Sequence, residues 1–277
     1  MLDAIAAGLK AALYVAVLSA AGLPLAAASL RASGDIARYA TRLMRSASAA
    51  AISLSVMLSV LLMLRLGGAF DQATLAAVFI SGSGASSMLQ LTGATLLLLS
   101  FGDDAFAHGW RISGAAIITV SFAFSGHAPA MSATAGLIAF LHVTAASWWV
   151  GSLWLLLRAC TTNDSQTASL ITRFSSMALY VVGALIVAGA VLILALVDFE
   201  QSPWFTPYAQ MLSLKLSIVI AAFTVALFNR LQLTPSVTRS EAAAVTALQL
   251  SIQVELGIIA VVLTATAVLT SYFSPHL

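Results

Sequence analysis

The sequence predicts an all-α protein, a polytopic membrane bundle of eight transmembrane helices with both termini outside. Of its 277 residues 61% are hydrophobic and 8% are charged, whereas a soluble domain carries about 25% charged residues. Apolar runs recur along the whole chain, and several exceed the ~20 residues that a spanning helix needs. We therefore expect a single integral membrane domain over residues 1–277, embedded in a lipid bilayer.

Eight apolar runs define the predicted helices, and the breaks between them hold Pro, Gly and charged residues. The first run is interpreted as a retained helix and not as a signal peptide. A signal peptide has its basic residues before the apolar stretch, but here Lys10 alone precedes Ala11–Leu30 and four arginines follow it. The runs are 4–30, 46–66, 73–100, 111–126, 131–157, 174–197, 209–229 and 242–271.

Basic residues indicate the orientation of this bundle. The breaks after runs 1, 3, 5 and 7 contain nine arginines, and the opposite side contains one, Arg65. Cytoplasmic loops are enriched in Arg and Lys, so the nine are expected in the cytoplasm and both termini outside, in the periplasm of a bacterium. The nine are Arg31, Arg38, Arg42, Arg45, Arg111, Arg158, Arg173, Arg230 and Arg239.

Four ionisable residues are predicted at membrane depth, one of which is Lys10 in the first run. Glu255 stands alone in the last run, His142 lies in the fifth and Lys215 in the seventh. Such groups are costly in a membrane, face the interior of the bundle and mark sites or pathways. A Lys215–Glu255 ion pair and a His142–Glu255 hydrogen bond are both compatible with these depths. An ion pair that merely fixes helix packing is the alternative without a function.

Histidine and methionine residues gather at the predicted outer mouth. His127 and Met131 lie at the start of the fifth run, and Met211 begins the seventh. Imidazole and thioether groups are ligands that suit copper, so His127, His142, Met131 and Met211 are the candidate metal ligands. The alternative is that the methionines fill apolar gaps between helices.

Several functions are disfavoured by what the sequence lacks. It has no phosphate-binding glycine loop, no GxSxG elbow and no HExxH motif, and we expect a protein that is not an enzyme. A haem-bearing electron-transfer protein is a weak alternative, because His142 is the one histidine placed securely inside a run. The scattered arginines do not indicate nucleic-acid binding.

In the second half of the chain, residues 141–153 read LHVTAASWWVGSL. This segment resembles the histidine-to-WVGGL helix of the copper resistance protein D (CopD) family, and the resemblance extends over about residues 125–277. Gly126–Ala128 resembles its GHA motif, Arg173–Ser175 its RFS motif, and residues 206–216 its TPYG…LLLKL segment. Glu255 and Gly257 fit its final helix. Ser152 and Ala209 replace glycines of these motifs, small residue for small residue.

This resemblance implies an eight-helix inner-membrane protein that handles copper. We expect import of copper from the periplasm to the cytoplasm, in partnership with a CopC-type periplasmic carrier. His127, Met131 and Met211 would receive the ion and His142 would pass it inward, while Glu255 and Lys215 compensate its charge or move a proton. The alternative is a membrane receptor or assembly factor that passes copper between periplasmic proteins without transporting it.

Overall fold

The computed structural model describes residues 2–65, 81–124, 133–162, 166–196, 206–238 and 243–272. These ranges contain eight helices of 17 residues or more, one for each predicted run, and no β-strand. The predicted polytopic all-α bundle is confirmed. The helices are α1 (Leu2–Leu30), α2 (Gly34–Arg65), α3 (Gly82–Leu99), α4 (Ala105–Ser121), α5 (Ala133–Thr162), α6 (Thr167–Leu196), α7 (Pro207–Phe228) and α8 (Ala244–Tyr272).

Six of these helices are long and apolar enough to cross a membrane, namely α1, α2, α5, α6, α7 and α8. The other two, α3 and α4, have 18 and 17 residues. The chain is therefore a multi-pass membrane protein. The placement of both termini outside stays a prediction.

Three helices begin at least six residues earlier than the apolar runs predicted, at Gly34, Ala105 and Thr167. The start of α4 shows the reason, because Asp104 caps it by accepting a hydrogen bond from the Ala107 N–H at 2.9 Å. His108 lies in the first turn of α4. Helix ends outside the apolar layer carry polar residues, so hydrophobicity alone places them too late.

The centre of the bundle is a direct contact between the backbones of α1 and α5. A Cβ atom on Gly22 would overlap the carbonyl of Ser147, and a Cβ on Gly151 would overlap the backbone of Gly22. Small residues allow this close approach. In a membrane the hydrophobic effect does not drive helices together, so the dispersion contacts between the two backbones stabilise their packing. Gly151 belongs to the WVGSL segment, and its role is therefore to hold α5 against α1.

Tryptophans of α5 reinforce the same contact through hydrogen bonds to serines of α1. The indole N–H of Trp148 donates to Ser29 Oγ at 2.8 Å, and that of Trp154 donates to Ser19 Oγ at 3.2 Å. An indole N–H needs a partner when it is buried, and the serines supply one at two levels. These bonds fix the rotation of α5 relative to α1.

One end of the bundle collects the arginines. Arg158 binds Asp35 with its Nη2 2.6 Å from Oδ2, and Arg173 donates to the Leu30 carbonyl at 2.9 Å. Arg45 donates to the Ser100 carbonyl at the same distance. At the opposite end, Arg65 pairs with Asp3 at 2.7 Å. The predicted alternation of the chain between two faces is thus present, while the assignment of the arginine-rich end to the cytoplasm stays a prediction.

We expect Gly22→Ala to lower the free energy of unfolding by about 3 kcal/mol, because a methyl group at this position overlaps backbone that cannot move aside. The matched control is Gly8→Ala in the same helix, where the added Cβ meets nothing within 4 Å. This control should raise stability by about 0.5–1 kcal/mol, as alanine does in a helix interior. Thermal unfolding in detergent measures both, and equal stability of the two variants would contradict the proposed close contact.

Candidate functional site

Glu255 is the most deeply buried ionisable side chain that the structure describes, with 2% of its surface exposed. Its Oε1 accepts a hydrogen bond from the Trp149 indole N–H at 2.7 Å, and its Oε2 accepts one from the Asn229 amide at 2.9 Å. Two donors on two oxygens match the ionised carboxylate, which accepts at both. No cation contacts it among the described residues, so its charge is held by neutral dipoles.

Neither predicted partner reaches Glu255. The Lys215–Glu255 ion pair and the His142–Glu255 hydrogen bond were the two alternatives, and the structure contains neither. The reason is that Trp149, two helical turns from His142 on α5, occupies the position beside the carboxylate. The indole is held there by stacking on Phe223 of α7, with ring centres 5.3 Å apart and planes 2° from parallel.

Asn229 enters the site from an irregular stretch of helix. After α7 the chain forms one π-helical turn, Asn229–Leu233, and then a last α-helical turn, Thr234–Thr238. The Thr234 N–H bonds back five residues to the Asn229 carbonyl. Pro235 explains the wider turn, since a proline ring collides with the carbonyl four residues earlier in a regular α-helix. Such turns occur frequently at functional sites.

The side-chain amide of Asn229 forms a hydrogen bond through one of its two polar atoms. Its nitrogen donates to Glu255, but its Oδ1 is buried and has no hydrogen-bond partner among the residues that the structure describes. A buried acceptor without a donor is costly, by roughly 1–3 kcal/mol. The amide therefore has an acceptor available beside the carboxylate.

His142 forms a second polar site, closer to the start of α5. Its Nδ1 lies 3.2 Å from the carbonyl oxygen of Leu185 in α6. A carbonyl oxygen can only accept, so Nδ1 carries the proton and the neutral ring keeps its Nε2 lone pair. Gly189 makes room for the ring, because a Cβ there would lie 3.2 Å from the His142 Cε1.

Lys215 and Met211 lie on α7. Lys215 lies within electrostatic range of His142, is half-buried and forms no hydrogen bond or ion pair with any residue that the structure describes. Met211, also half-buried, is four residues earlier and so one turn further toward the start of the same helix. The Lys215 amino group therefore has no counter-charge among the described residues.

A cavity of about 240 Å³ lies beside the carboxylate, between α5, α6, α7 and α8. Its walls are almost entirely apolar side chains. Its polar lining includes Trp149, Asn229, Arg230 and Glu255, and Arg230 donates a hydrogen bond to the Ser175 carbonyl across it. The carboxylate therefore borders a largely apolar cavity between these four helices.

Two of the four predicted metal ligands, His127 and Met131, lie outside the described residues. Within the described ranges, no three His, Cys, Asp or Glu side chains group closely enough to hold a metal. The ligand set drawn from the sequence thus stays a prediction, of which His142 and Met211 can be located. Sequence reasoning missed Asn229 as a site residue. The one signal for it in the sequence was its position as a polar residue between Phe228 and Arg230, near the end of an apolar run.

Residues 168–269 match the family model of copper resistance protein D. The match covers α6, α7, the π-helical turn and most of α8, and so includes Met211, Lys215, Asn229 and Glu255. No curated protein and no solved structure matches the chain.

We expect Glu255→Met to lower the free energy of unfolding by about 1–3 kcal/mol. Methionine has a similar length but no carboxylate oxygen, so the buried Trp149 and Asn229 donors would both lose the acceptor that they now share. The matched control is Gln253→Ala, an exposed polar residue of the same helix, which should change stability by less than about 0.5 kcal/mol. Equal unfolding midpoints for Glu255→Met and the parent chain would rule out the two-donor arrangement.

Proposed function

We propose that this chain, a multi-pass membrane protein whose residues 168–269 form a copper resistance protein D domain, carries copper across the bacterial inner membrane. The direction that we propose is from the periplasm to the cytoplasm. Copper is the cargo in this proposal and is bound in passing. The family match supports a role in copper resistance, and the polar residues inside the bundle support a path.

The observation that carries the proposal is the bond from His142 Nδ1 to the Leu185 carbonyl. Metal-binding histidines ordinarily donate their second ring N–H to a carbonyl or carboxylate, which fixes the tautomer and turns the free nitrogen toward the metal. His142 has this arrangement inside a membrane helix, nine residues after Ala133 and so about 14 Å along α5. Its Nε2 is a ligand for copper.

The proposed route begins at the outer face. His127, Met131 and Met211 receive copper there, and a CopC-type carrier would deliver it. Met211 and Lys215 lie one turn apart on α7, so a thioether at the level of Met211 precedes the imidazole on the way inward. Ligands that are few and soft hold the ion weakly enough to release it.

Glu255 compensates the charge of the ion further along the same route. Trp149 follows His142 by seven residues, which places the carboxylate about 10 Å further along α5. Because no cation pairs with Glu255 among the described residues, its full negative charge is available to an ion that passes through the bundle. An ion in a dry interior needs such a counter-charge.

The amide of Asn229 equips Glu255 to move a proton as well. With the carboxylate ionised, the amide nitrogen donates to it. When the carboxylate takes a proton, rotation of the amide by half a turn presents the unpaired Oδ1 to the new O–H. Both protonation states of Glu255 then keep a hydrogen bond to the Asn229 side chain. The sequence has no ATP-binding motif, so a gradient drives the transport in this proposal.

We expect His142→Ala to abolish the copper that cells expressing this chain accumulate above an empty-vector control. The measurement is total cell copper at matched membrane abundance of each variant. Thr144→Ala is the matched control, since this hydroxyl bonds within α5 to the Phe140 carbonyl at 2.8 Å, and it should accumulate as the parent chain does. Accumulation equal to the empty vector for the parent chain itself would favour a receptor that binds copper at the outer face without transporting it.

We expect Lys215→Gln to bind copper about tenfold more tightly than the parent chain. The substitution removes the repulsion between the Lys215 ammonium and a copper ion at His142, and a tenfold gain in affinity corresponds to about 1.4 kcal/mol. Equilibrium titration of the purified protein with Cu(I) and a competing chelator measures the affinity. Lys10→Gln is the control, because that ammonium bonds to the Thr270 carbonyl at 3.3 Å. Equal gains in copper affinity in both variants would show that the net charge of the protein, and not the position of the lysine, determines the affinity.

A further inference from the structure

Arg31 has a backbone conformation that ordinarily belongs to glycine. Its φ is 55°, and the two other described residues with positive φ are the glycines Gly34 and Gly102. The residue ends α1 in a Schellman motif, in which the Ala32 N–H bonds to the Ala27 carbonyl at 2.9 Å and the Arg31 N–H to the Ala28 carbonyl at 3.3 Å. A side chain at this position is strained, so an arginine here costs stability that glycine would not.

Arg31 also differs from every other described arginine in having no partner. The others each bind a carboxylate or a backbone carbonyl. Strain that persists without a compensating contact points to a function of the side chain. The positive charge of Arg31 is free for a ligand.

The free charge lines a cavity of about 260 Å³ at the arginine-rich end, between the end of α1 and the starts of α2 and α4. Arg111 and His108 line the same cavity, and so do the hydroxyl-bearing Thr41 and the carboxylate Asp103. Asp103 pairs with Arg111 at 3.4 Å, and the Nε of Arg111 is buried without a hydrogen-bond partner. Two arginines against one aspartate leave one net positive charge and unused N–H donors.

We propose that this cavity binds a phosphate group, held by Arg31 and Arg111. Guanidinium groups present paired N–H donors that match phosphate oxygens, and a singly charged phosphate diester would neutralise the cavity. The same chemistry is offered by the headgroup of an anionic phospholipid and by free phosphate. Basic cavities between membrane helices on the cytoplasmic side are places where anionic headgroups bind, and this one lies at the end predicted to be cytoplasmic.

The test compares the parent chain with Arg31→Gly, which removes the guanidinium and relieves the strain. Without phosphate or anionic lipid, Arg31→Gly should unfold at a temperature equal to or above that of the parent chain. Phosphatidylglycerol added to the detergent-purified protein should raise the unfolding temperature of the parent chain, and the affinity should fall at least about tenfold in Arg31→Gly. Arg38→Gln is the charge-matched control at the same end, and it should respond as the parent chain does.

Inorganic phosphate in a second titration separates the two sources. Stabilisation by phosphatidylglycerol, but not by phosphatidylcholine or millimolar phosphate, supports a lipid headgroup. Saturation by inorganic phosphate alone, lost in Arg31→Gly, supports the same site with a soluble ligand. The proposal is overturned if all three proteins respond equally to both anions, or if Arg31→Gly is less stable than the parent chain in their absence, because the arginine would then serve the fold.

Discussion

The contact between the backbones of α1 and α5 at Gly22 and Gly151 is the constraint on which the rest of the structure depends. Because neither position carries a Cβ atom, the helices approach closely enough for tryptophans of α5 to bond to serines of α1. That contact fixes the rotation of α5, and rotation decides where each residue of α5 points. With Trp148 turned toward α1, the next residue, Trp149, is turned toward α8 and meets Glu255. A packing contact of two glycines therefore positions the indole that holds the buried carboxylate.

The bundle satisfies its buried carboxylate with dipoles and leaves its lysine unpaired. A Lys215–Glu255 ion pair would have neutralised both groups, and a membrane interior favours such pairing. The structure instead gives Glu255 two neutral N–H donors and leaves Lys215 near His142. A closed ion pair would have been inert toward a passing cation. In the proposed import, separate charges would leave a repulsive position near His142 and an attractive one near Glu255, and this order of charges would favour movement of a cation from the first to the second.

Hydrophobic runs predicted the eight helices and their order, because apolar length is a direct consequence of bilayer thickness. The length of the apolar runs placed the starts of α2, α4 and α6 too late, because it does not detect the polar helix ends that lie outside the apolar layer. It also identified Glu255 and His142 as buried, from the cost of a charge or polar group at that depth. It could not identify their partners. Asn229 reaches Glu255 from the first residue after α7, and Leu185 meets His142 through a backbone carbonyl that no side-chain pattern reveals.

The arginine-rich end presents an electrostatic problem for any copper import. A cation that leaves the bundle there meets guanidinium groups, most of which are already paired with Asp35, Asp103 or backbone carbonyls. The pairing lowers the positive field that these residues create, and Arg31 is the described exception. A phosphate group bound beside Arg31 and Arg111 would neutralise that remaining charge and lower the barrier to release of the ion. The strained arginine would then connect lipid composition to copper transport, because the anion that it holds also sets the potential at the exit.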